Sequence, residues 1–484
     1  MNGALLKLAL KGIGYNSLSK IMIMALTGIS QIVLARNLTQ GDFGIVGFAT
    51  IFINFLAGFS DIGISSAIIQ KNDLDKATLF TGFTLKLILG GVVFCIAMLL
   101  SVHVDSFFYS NQTSRVIQIL SLNFIISSFA FIPTCLLTRD LNYKKLLISQ
   151  TVTALINYIL SIALALNGFS YWSIVISNIV AAVVNIFLLN FLEPVRIEFR
   201  LDKKIASELV HFGGNLFLCG VITFVIFNAD NFIIGSVSGA VSLGYYAIAF
   251  NWSTMVCGVV HNAVLTVLFP VFSKMQSDRD GLKKAYLKLL EYSTFICVLV
   301  NATLFYSSYE FLFYILGHGT DKWIPVLSTL KILCVYGVLR GVLQPLSNIV
   351  MAIGRTDIML KTNFIVAIVE LSLIYPALKY FDIEGVAATI TLSYGLQFYI
   401  YYKYMSSELD VKSSDVISSI KPSFLSLIVV IALYLSCTRV VEMSYVSFAI
   451  KLTIIPAAFC LFYQYITKWR LLGEMKVIIN GLNE

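Results

Sequence analysis

The sequence predicts an all-α protein that crosses a membrane many times. Of its 484 residues, 58% are hydrophobic and only 12% are charged, a composition too apolar for a soluble globular protein. Charged clusters divide the chain into about fourteen apolar segments, each near the roughly 20 residues that a spanning helix needs. The alternating polar and apolar segments of a membrane barrel do not occur in the sequence. We therefore expect a polytopic helical membrane protein.

The predicted spans follow one another with short connections, which leaves no room for a soluble domain between them. The first residues, MNGALLKLALKGIGY, lack a small-residue cleavage site, so we expect no removable signal peptide. They are typical either of an interfacial helix or of a cytosolic flank. The spans lie at residues 14–35, 43–69, 77–103, 115–138, 146–167, 171–192, 213–236, 243–269, 286–315, 325–350, 358–379, 384–404, 422–438 and 445–467.

Lysine and arginine are distributed unequally between the two sides of these spans. One side carries 24 of the 34, the other carries 6, and the remaining four lie inside segments. Because basic residues are enriched in cytoplasmic loops, this asymmetry predicts that both termini are cytoplasmic. No basic run is long enough to indicate nucleic-acid binding, so the net charge of +8 is a topology signal.

The chain contains an internal repeat. A shift of 200 positions places Phe43 and Gly44 on Leu243 and Gly244, and the late prolines Pro133 and Pro345 recur at a spacing of 212. A likeness that keeps its register across several segments indicates a duplicated unit. We expect two pseudo-symmetric six-helix lobes around a central cavity, related by an axis along the membrane normal, and two further C-terminal helices.

The repeat predicts the domain boundaries. We expect an N-lobe at residues 1–192, a cytoplasmic crossover at 193–212, a C-lobe at 213–405, and two last spans with a cytoplasmic tail at 406–484. The eight cysteines and four histidines are scattered, so no metal site is predicted. No phosphate-binding loop of the Walker type occurs, which argues against direct use of ATP. No cofactor or catalytic residue is expected.

Two stretches carry a resemblance to a known family. LARNLTQGDFG and FSDIGISSAIIQ, together with the arrangement of six, six and two spans, resemble the Wzx-type polysaccharide transporters. These form a branch of the multidrug/oligosaccharidyl-lipid/polysaccharide exporter superfamily, and the likeness is to its colanic-acid and teichuronic-acid type. The motifs cover about the first seventy residues, whereas the architectural likeness covers the whole chain.

The resemblance implies a flippase and not an enzyme. Such a protein turns an undecaprenyl-pyrophosphate-linked oligosaccharide, the repeat unit of O-antigen or exopolysaccharide, from the cytoplasmic to the outer leaflet of the bacterial inner membrane. It does so by alternating access, coupled to a proton or sodium ion, and the head group enters a cationic cavity while the lipid tail stays among membrane lipids. A polysaccharide polymerase complex is an implied partner.

Three alternatives remain open. A lipid II flippase differs only in its cargo. A cation-coupled drug antiporter of the same superfamily is expected to have an acidic, hydrophobic cavity, and the intramembrane lysines and arginine disfavour it. A membrane glycosyltransferase or polymerase needs a long loop with clustered catalytic residues, and the loops here are short.

Charged residues inside the spans are the candidate site residues, because each costs at least about 2.5–3.5 kcal/mol in the bilayer interior unless it has a partner, water or a function. At 1.5 Å per residue, three of them in the first half share one layer, roughly 9–14 Å deep. We expect Asp61 to hold one of the two lysines, Lys20 or Lys86, and the other lysine to bind pyrophosphate. The alternative is that both lysines snorkel to the interface and Asp61 caps a break.

In the second half, Arg340 and Gln344 lie on a polar face of the tenth span, and we expect Arg340 to meet the anionic head. Glu370 is expected level with Arg340 across a hairpin, where protonation or ion binding releases the arginine; a structural salt bridge is the alternative. Asp230 is a second candidate for ion coupling, or else an interhelical hydrogen-bonded contact. Lys331 lies near the outer end, where it snorkels or forms an outer gate.

Overall fold

The chain folds into helices. The computed structural model describes residues 20, 22–71, 74–108, 112–140, 142–195, 197–267, 272, 278–437 and 445–468, and within these residues it contains helices and no strand. The described chain separates into two compact units, Met1–Ala247 and Ile248–Glu484.

Among the described residues, nine α-helices begin in the first unit, and the last of them continues past its boundary. In chain order they are α1 (Met22–Asn37), α2 (Gln40–Asp61), α3 (Ile64–Gln70), α4 (Lys76–Phe108), α5 (Thr113–Ile126), α6 (Phe131–Arg139), α7 (Tyr143–Leu166), α8 (Trp172–Leu192) and α9 (Lys203–Val267).

In the part of the second unit that the structure describes, five long helices begin. A short π-helix, Phe311–Leu316, and a 3₁₀-helix, Asp321–Val326, join the first two of them. The long helices are α10 (Arg279–Tyr306), α11 (Leu327–Ala352), α12 (Thr356–Leu409), α13 (Ser413–Cys437) and α14 (Tyr445–Ile466).

Eleven helices of the described chain are long and apolar enough to cross a membrane, and α1 is a shorter apolar helix. Two of the long helices bend at one residue with non-helical backbone: Gly239 in α9, at φ 80° and ψ −177°, and Asp382 in α12, at φ 51° and ψ −152°. The predicted all-α membrane fold is confirmed. That the chain crosses the membrane fourteen times stays a prediction.

The motif that precedes α2 fixes the start of this helix. Thr39 and Asp42 form a capping box, in which the backbone N–H of each residue donates to the side chain of the other, at 2.7 and 3.2 Å. Two otherwise unpaired N–H groups of the first turn are thereby satisfied. The hydroxyl of Ser170, in the turn between α7 and α8, donates to the other oxygen of Asp42 at 2.7 Å. One buried carboxylate therefore joins two interhelical turns.

Pro133 explains why the predicted span at 115–138 is interrupted. The chain passes from α5 through a 3₁₀ turn, Ser127–Ala130, into α6. A proline in a helix cannot donate to the carbonyl four residues before it, which here belongs to Phe129. The Asn190 side chain from α8 donates to that carbonyl at 3.4 Å. A side chain thus replaces the missing backbone hydrogen bond, as membrane helices require.

The two glycines paired by the repeat lie against each other. A Cβ atom added to Gly44 would lie 1.7 Å from the carbonyl oxygen of Ala240, and one added to Gly244 would lie 2.0 Å from that of Gln40. Real side chains do not make such contacts, so only glycine allows α2 and α9 to approach this closely. Close backbone approach at small residues is a common way for membrane helices to associate.

Substitution of Gly44 by alanine is therefore expected to force α2 and α9 apart, with a loss of about 1–3 kcal/mol of stability or more from overpacking. Gly91→Ala is the matched control, because a Cβ there meets no atom within 4 Å. Thermal unfolding of the purified protein in detergent measures both. A Gly44→Ala protein as stable as Gly91→Ala would contradict the role given to this contact.

Candidate functional site

Lys86 and Asp61 form an ion pair in the first unit. The Lys86 ammonium on α4 lies 3.0 Å from Asp61 Oδ1 at the end of α2, and the two side chains are 12% and 33% exposed. The ammonium also lies 5.4 Å from the ring centroid of Phe131, within cation–π distance. Lys86 is thus held inside the protein by a carboxylate and a ring, and does not snorkel away from Asp61.

The break after α2 places the Asp61 carboxylate. Ile62 and Gly63 adopt left-handed conformations, at φ 43° and 70°, so α2 ends and α3 begins directly afterwards. Asp61 also accepts hydrogen bonds from the hydroxyl and the backbone N–H of Ser65, at 2.9 and 3.3 Å. The carboxylate therefore both caps α3 and holds Lys86, so the two roles considered for Asp61 occur together.

Lys20 is partly buried at the beginning of the described chain. Among the ion pairs of the described residues, Asp61 is joined to Lys86 and not to Lys20. Asp61 therefore holds one of the two lysines considered for it. That Lys20 meets the cargo stays a prediction.

In the second unit, Arg340 lies on α11 with part of its guanidinium buried and unsatisfied. Its Nε atom is shielded from solvent and has no hydrogen-bond partner. The titratable groups near enough to interact with it electrostatically are the phenols of Tyr336 and Tyr394 and the thiols of Cys257 and Cys297. An unpartnered polar atom in a membrane protein needs water or a ligand. This geometry suits a cation that binds an anionic head.

The polar face that contains Arg340 continues along α11. Gln344 is partly buried, and Asn348 is 3% exposed with an unpartnered side-chain amide nitrogen. Glu370 on α12 is 7% exposed. Tyr394, which lies near the guanidinium of Arg340, belongs to the part of α12 beyond the bend at Asp382. That Glu370 pairs with Arg340 stays a prediction.

Asp230 occupies a buried hydrogen-bonded site on α9. The bend at Gly239 lets the second part of the helix return, and the Tyr246 hydroxyl donates to Asp230 Oδ2 at 2.8 Å. The Asn231 amide donates to Oδ1 at 2.9 Å. This geometry is the interhelical contact considered for Asp230 from the sequence. Tyr246 was not among the residues predicted from the sequence.

Lys331 lies on the first turns of α11, with its ammonium 5.6 Å from the ring centroid of Phe305. This cation–π contact joins α11 to α10. Its role as an outer gate stays a prediction. In the part of the chain that the structure describes, no three His, Cys, Asp or Glu side chains come together as metal ligands.

Two buried acidic side chains on or next to α10 were given no role from the sequence. Glu310, 3% exposed at its side chain, forms an ion pair with Lys451 on α14. Glu291 accepts a hydrogen bond from the Tyr463 hydroxyl on the same helix at 2.9 Å. These two contacts attach α14 to α10 and to the segment that follows α10.

The fold is that of a polytopic transporter. The chain superimposes on the lipid II flippase MurJ in its inward closed conformation, with a TM-score of 0.75 and 13% identity, covering 94% of this chain and 99% of that one. Residues 33–328 match the family described as polysaccharide biosynthesis protein, and the chain belongs to that family. The predicted assignment to the polysaccharide transporters is confirmed, and the protein is a membrane transporter and not an enzyme.

Two curated relatives extend the match. An uncharacterized membrane protein in the cps region of Klebsiella pneumoniae is 24% identical over 98% of both chains. The lipopolysaccharide biosynthesis protein WzxC of Escherichia coli (strain K12) is 25% identical, over 73% of this chain and 72% of that one.

The Glu310–Lys451 pair is expected to be structural. Lys451→Met leaves the buried Glu310 carboxylate without its partner and should lower the stability by about 3–5 kcal/mol, whereas the double variant with Glu310→Leu should recover most of this loss. Thermal unfolding midpoints measure the effect, with the exposed Lys379→Ala as control. Equal midpoints for the single variant and the unchanged protein would show that the pair contributes nothing.

Proposed function

We propose that the protein flips an undecaprenyl-pyrophosphate-linked oligosaccharide from the cytoplasmic to the outer leaflet of the bacterial inner membrane. The observation that carries the proposal is the Lys86–Asp61 pair, in which a lysine only 12% exposed is held in place within a membrane protein. A charged side chain inside a spanning helix is a candidate for a functional role, and the Asp61 partner of Lys86 is 33% exposed, which leaves access for an anionic cargo. Family membership and the name of the WzxC relative support polysaccharide repeat units as this cargo.

The pair leaves Lys86 able to bind phosphate. An ammonium has three N–H donors, of which Asp61 takes one. The Ser65 hydroxyl also donates a hydrogen bond to Asp61. This hydrogen bond holds the carboxylate in place beside Lys86 when an anion binds the ammonium. A lysine is a flexible point charge that suits a mobile pyrophosphate. We assign Lys86 and Lys20 to the head group, with Asp61 as a positioning residue.

Arg340 and Gln344 are the second set of head-group contacts in this proposal. The unpartnered Nε of Arg340 supports it, because an arginine offers several fixed donors to phosphate oxygens. Glu370 and Asp230 are assigned to coupling with a proton or sodium ion, and Lys331 to an outer gate. Burial of both carboxylates, at 7% and 5% exposure, supports a role that depends on protonation.

We assign the cargo's entry to the cytoplasmic side. The excess of basic residues on one side supports cytoplasmic termini and an orientation in the bacterial inner membrane. Alternating access between the two predicted lobes then carries the head group across while the lipid tail stays in the bilayer. Lipid II is the second candidate cargo, which the likeness to the MurJ fold favours; it shares the pyrophosphate but not the glycan.

Lys86→Ala and Arg340→Ala are each expected to reduce export of surface polysaccharide about tenfold or more, because loss of a hydrogen bond to a charged group costs about 1.5–3 kcal/mol. Complementation of a strain that lacks its own flippase measures the polysaccharide, and immunoblotting measures the protein level. Lys379→Ala, an exposed lysine outside the candidate site, is the control. Normal polysaccharide from both variants would contradict the cationic site.

Glu370→Gln is expected to make transport independent of an imposed proton gradient, because the amide cannot exchange a proton. Flipping of a fluorescent lipid-linked oligosaccharide in proteoliposomes, with and without the gradient, measures this. Glu408→Gln is the control, since Glu408 lies at the end of α12 and pairs with Arg355. A Glu370→Gln protein that still responds to the gradient would exclude Glu370 from coupling.

A further inference from the structure

A cavity of about 270 Å³ lies inside the first unit, between α2, α5 and α8. Six polar side chains line it, together with aliphatic residues and one phenylalanine, and none of its described lining residues is charged. The polar ones are Thr50, Asn54, Ser60, Asn123, Ser127 and Asn178. The cavity is smaller than the roughly 300–1,000 Å³ of drug-sized ligand sites, so it suits one part of a larger ligand.

The amides in this cavity have unused hydrogen-bonding capacity. Asn123 Nδ2 donates to Asn178 Oδ1 at 2.9 Å, which leaves the Asn123 oxygen and the Asn178 nitrogen. The Asn123 oxygen is buried without a partner. A buried acceptor in this state loses about 1–3 kcal/mol unless a ligand or water satisfies it. One acceptor and one donor therefore lie side by side, the pair that a sugar hydroxyl or two neighbouring hydroxyls can use.

Because the described lining carries no charge, it indicates which class of ligand the cavity binds. A metal cation or an organic cation would call for a carboxylate, and a phosphate would call for a lysine or arginine. A purely apolar ligand would leave the asparagines unsatisfied. A sugar ring has hydroxyls for the amides and C–H faces for the aliphatic and aromatic lining, so an uncharged hexopyranose satisfies both parts.

The cavity ends beside the Lys86–Asp61 pair. Ser60, which lines it, directly precedes Asp61, and Ser127 precedes Ser128, whose hydroxyl donates to the backbone oxygen of Lys86 at 3.4 Å. Along α2 the lining extends from Val46 to Ser60, roughly 21 Å at 1.5 Å per residue. The neutral cavity lies next to the Lys86 cation, just as the first sugar of such a cargo lies next to its pyrophosphate.

We propose that this cavity binds the uncharged sugar next to the pyrophosphate of the cargo, through Asn54, Asn123 and Asn178. The proposal rests on the proposed function and adds a glycan-recognition subsite to it. The subsite distinguishes a glycosylated lipid from the bare lipid pyrophosphate, and the first sugar from other sugars. The glycan portion of the cargo thus contributes binding energy separate from that of the charges.

The test compares two probes on the full chain in lipid nanodiscs: undecaprenyl pyrophosphate, and the same lipid carrying one glucose. Native mass spectrometry or thermophoresis gives both affinities. The unchanged protein is expected to prefer the glucosyl lipid severalfold. Asn178→Ala and Asn54→Ala are each expected to reduce this preference about threefold to tenfold, the effect of one or two neutral hydrogen bonds, without changing affinity for the bare lipid.

Two control variants match these. Asn185→Ala removes an amide of α8 that accepts from Ser149 at 2.6 Å outside the cavity, and Asn37→Ala removes an exposed asparagine of α1. Both are expected to keep the glucose preference. Should Asn178→Ala prove unstable in thermal unfolding, Asn54→Ala decides, since its exposed side chain makes no hydrogen bond in the described structure.

Equal affinity of the unchanged protein for both lipids, or cavity variants that keep the full preference, would overturn the subsite and leave the proposed function standing. Cavity variants that lose affinity equally for both lipids would also overturn the subsite. The amides would then contribute to binding of the lipid pyrophosphate or to the stability of the protein, and not to binding of the sugar. Failure of the unchanged protein to bind either lipid would overturn the proposed function and the subsite with it.

Discussion

A membrane interior offers no water to polar groups, and this constraint shapes the whole protein. It requires helices, because only they satisfy their backbone within one segment. It also explains the exceptions. Where Pro133 frees the Phe129 carbonyl, the Asn190 side chain donates to it. Where α2 ends at Asp61, the backbone N–H of Ser65 in the first turn of α3 donates to the same carboxylate that holds Lys86. At both of these breaks, a side chain completes the hydrogen bonding.

The same constraint sorts the buried charges into two kinds. Glu310 and Lys451 neutralise each other between neighbouring helices, with little access to solvent, and their removal as a pair should be tolerated. Lys86 is neutralised by a carboxylate that is one third exposed, and Arg340 retains an unpartnered nitrogen. The exposure of the partner differs between the two lysines: the Glu310 carboxylate is 3% exposed, whereas the Asp61 carboxylate is 33% exposed.

Recognition of a lipid-linked glycan calls for two chemistries in one place, and the first unit offers both. The ammonium of Lys86 suits the pyrophosphate, whereas the asparagines between α2, α5 and α8 suit the hydroxyls of a neutral sugar. The charged contact is common to every cargo of this type and therefore supplies affinity without much discrimination. Neutral hydrogen bonds discriminate better, because an unmatched buried amide is left unpaired.

The sequence by itself determined the class of this protein: hydrophobic length and basic asymmetry predicted an all-helical membrane protein, and depth along helices predicted that Asp61 and Lys86 share one layer. The resemblance of LARNLTQGDFG and FSDIGISSAIIQ to a known family indicated a polysaccharide transporter. These features depend on the chain's periodicity and composition. Only the tertiary structure decided which groups meet. The bend at Gly239 brings Tyr246 to Asp230, α14 brings Lys451 to Glu310, and three helices enclose the neutral cavity. The direction in which a helix face points depends on packing and on bends, which one-dimensional spacing does not encode.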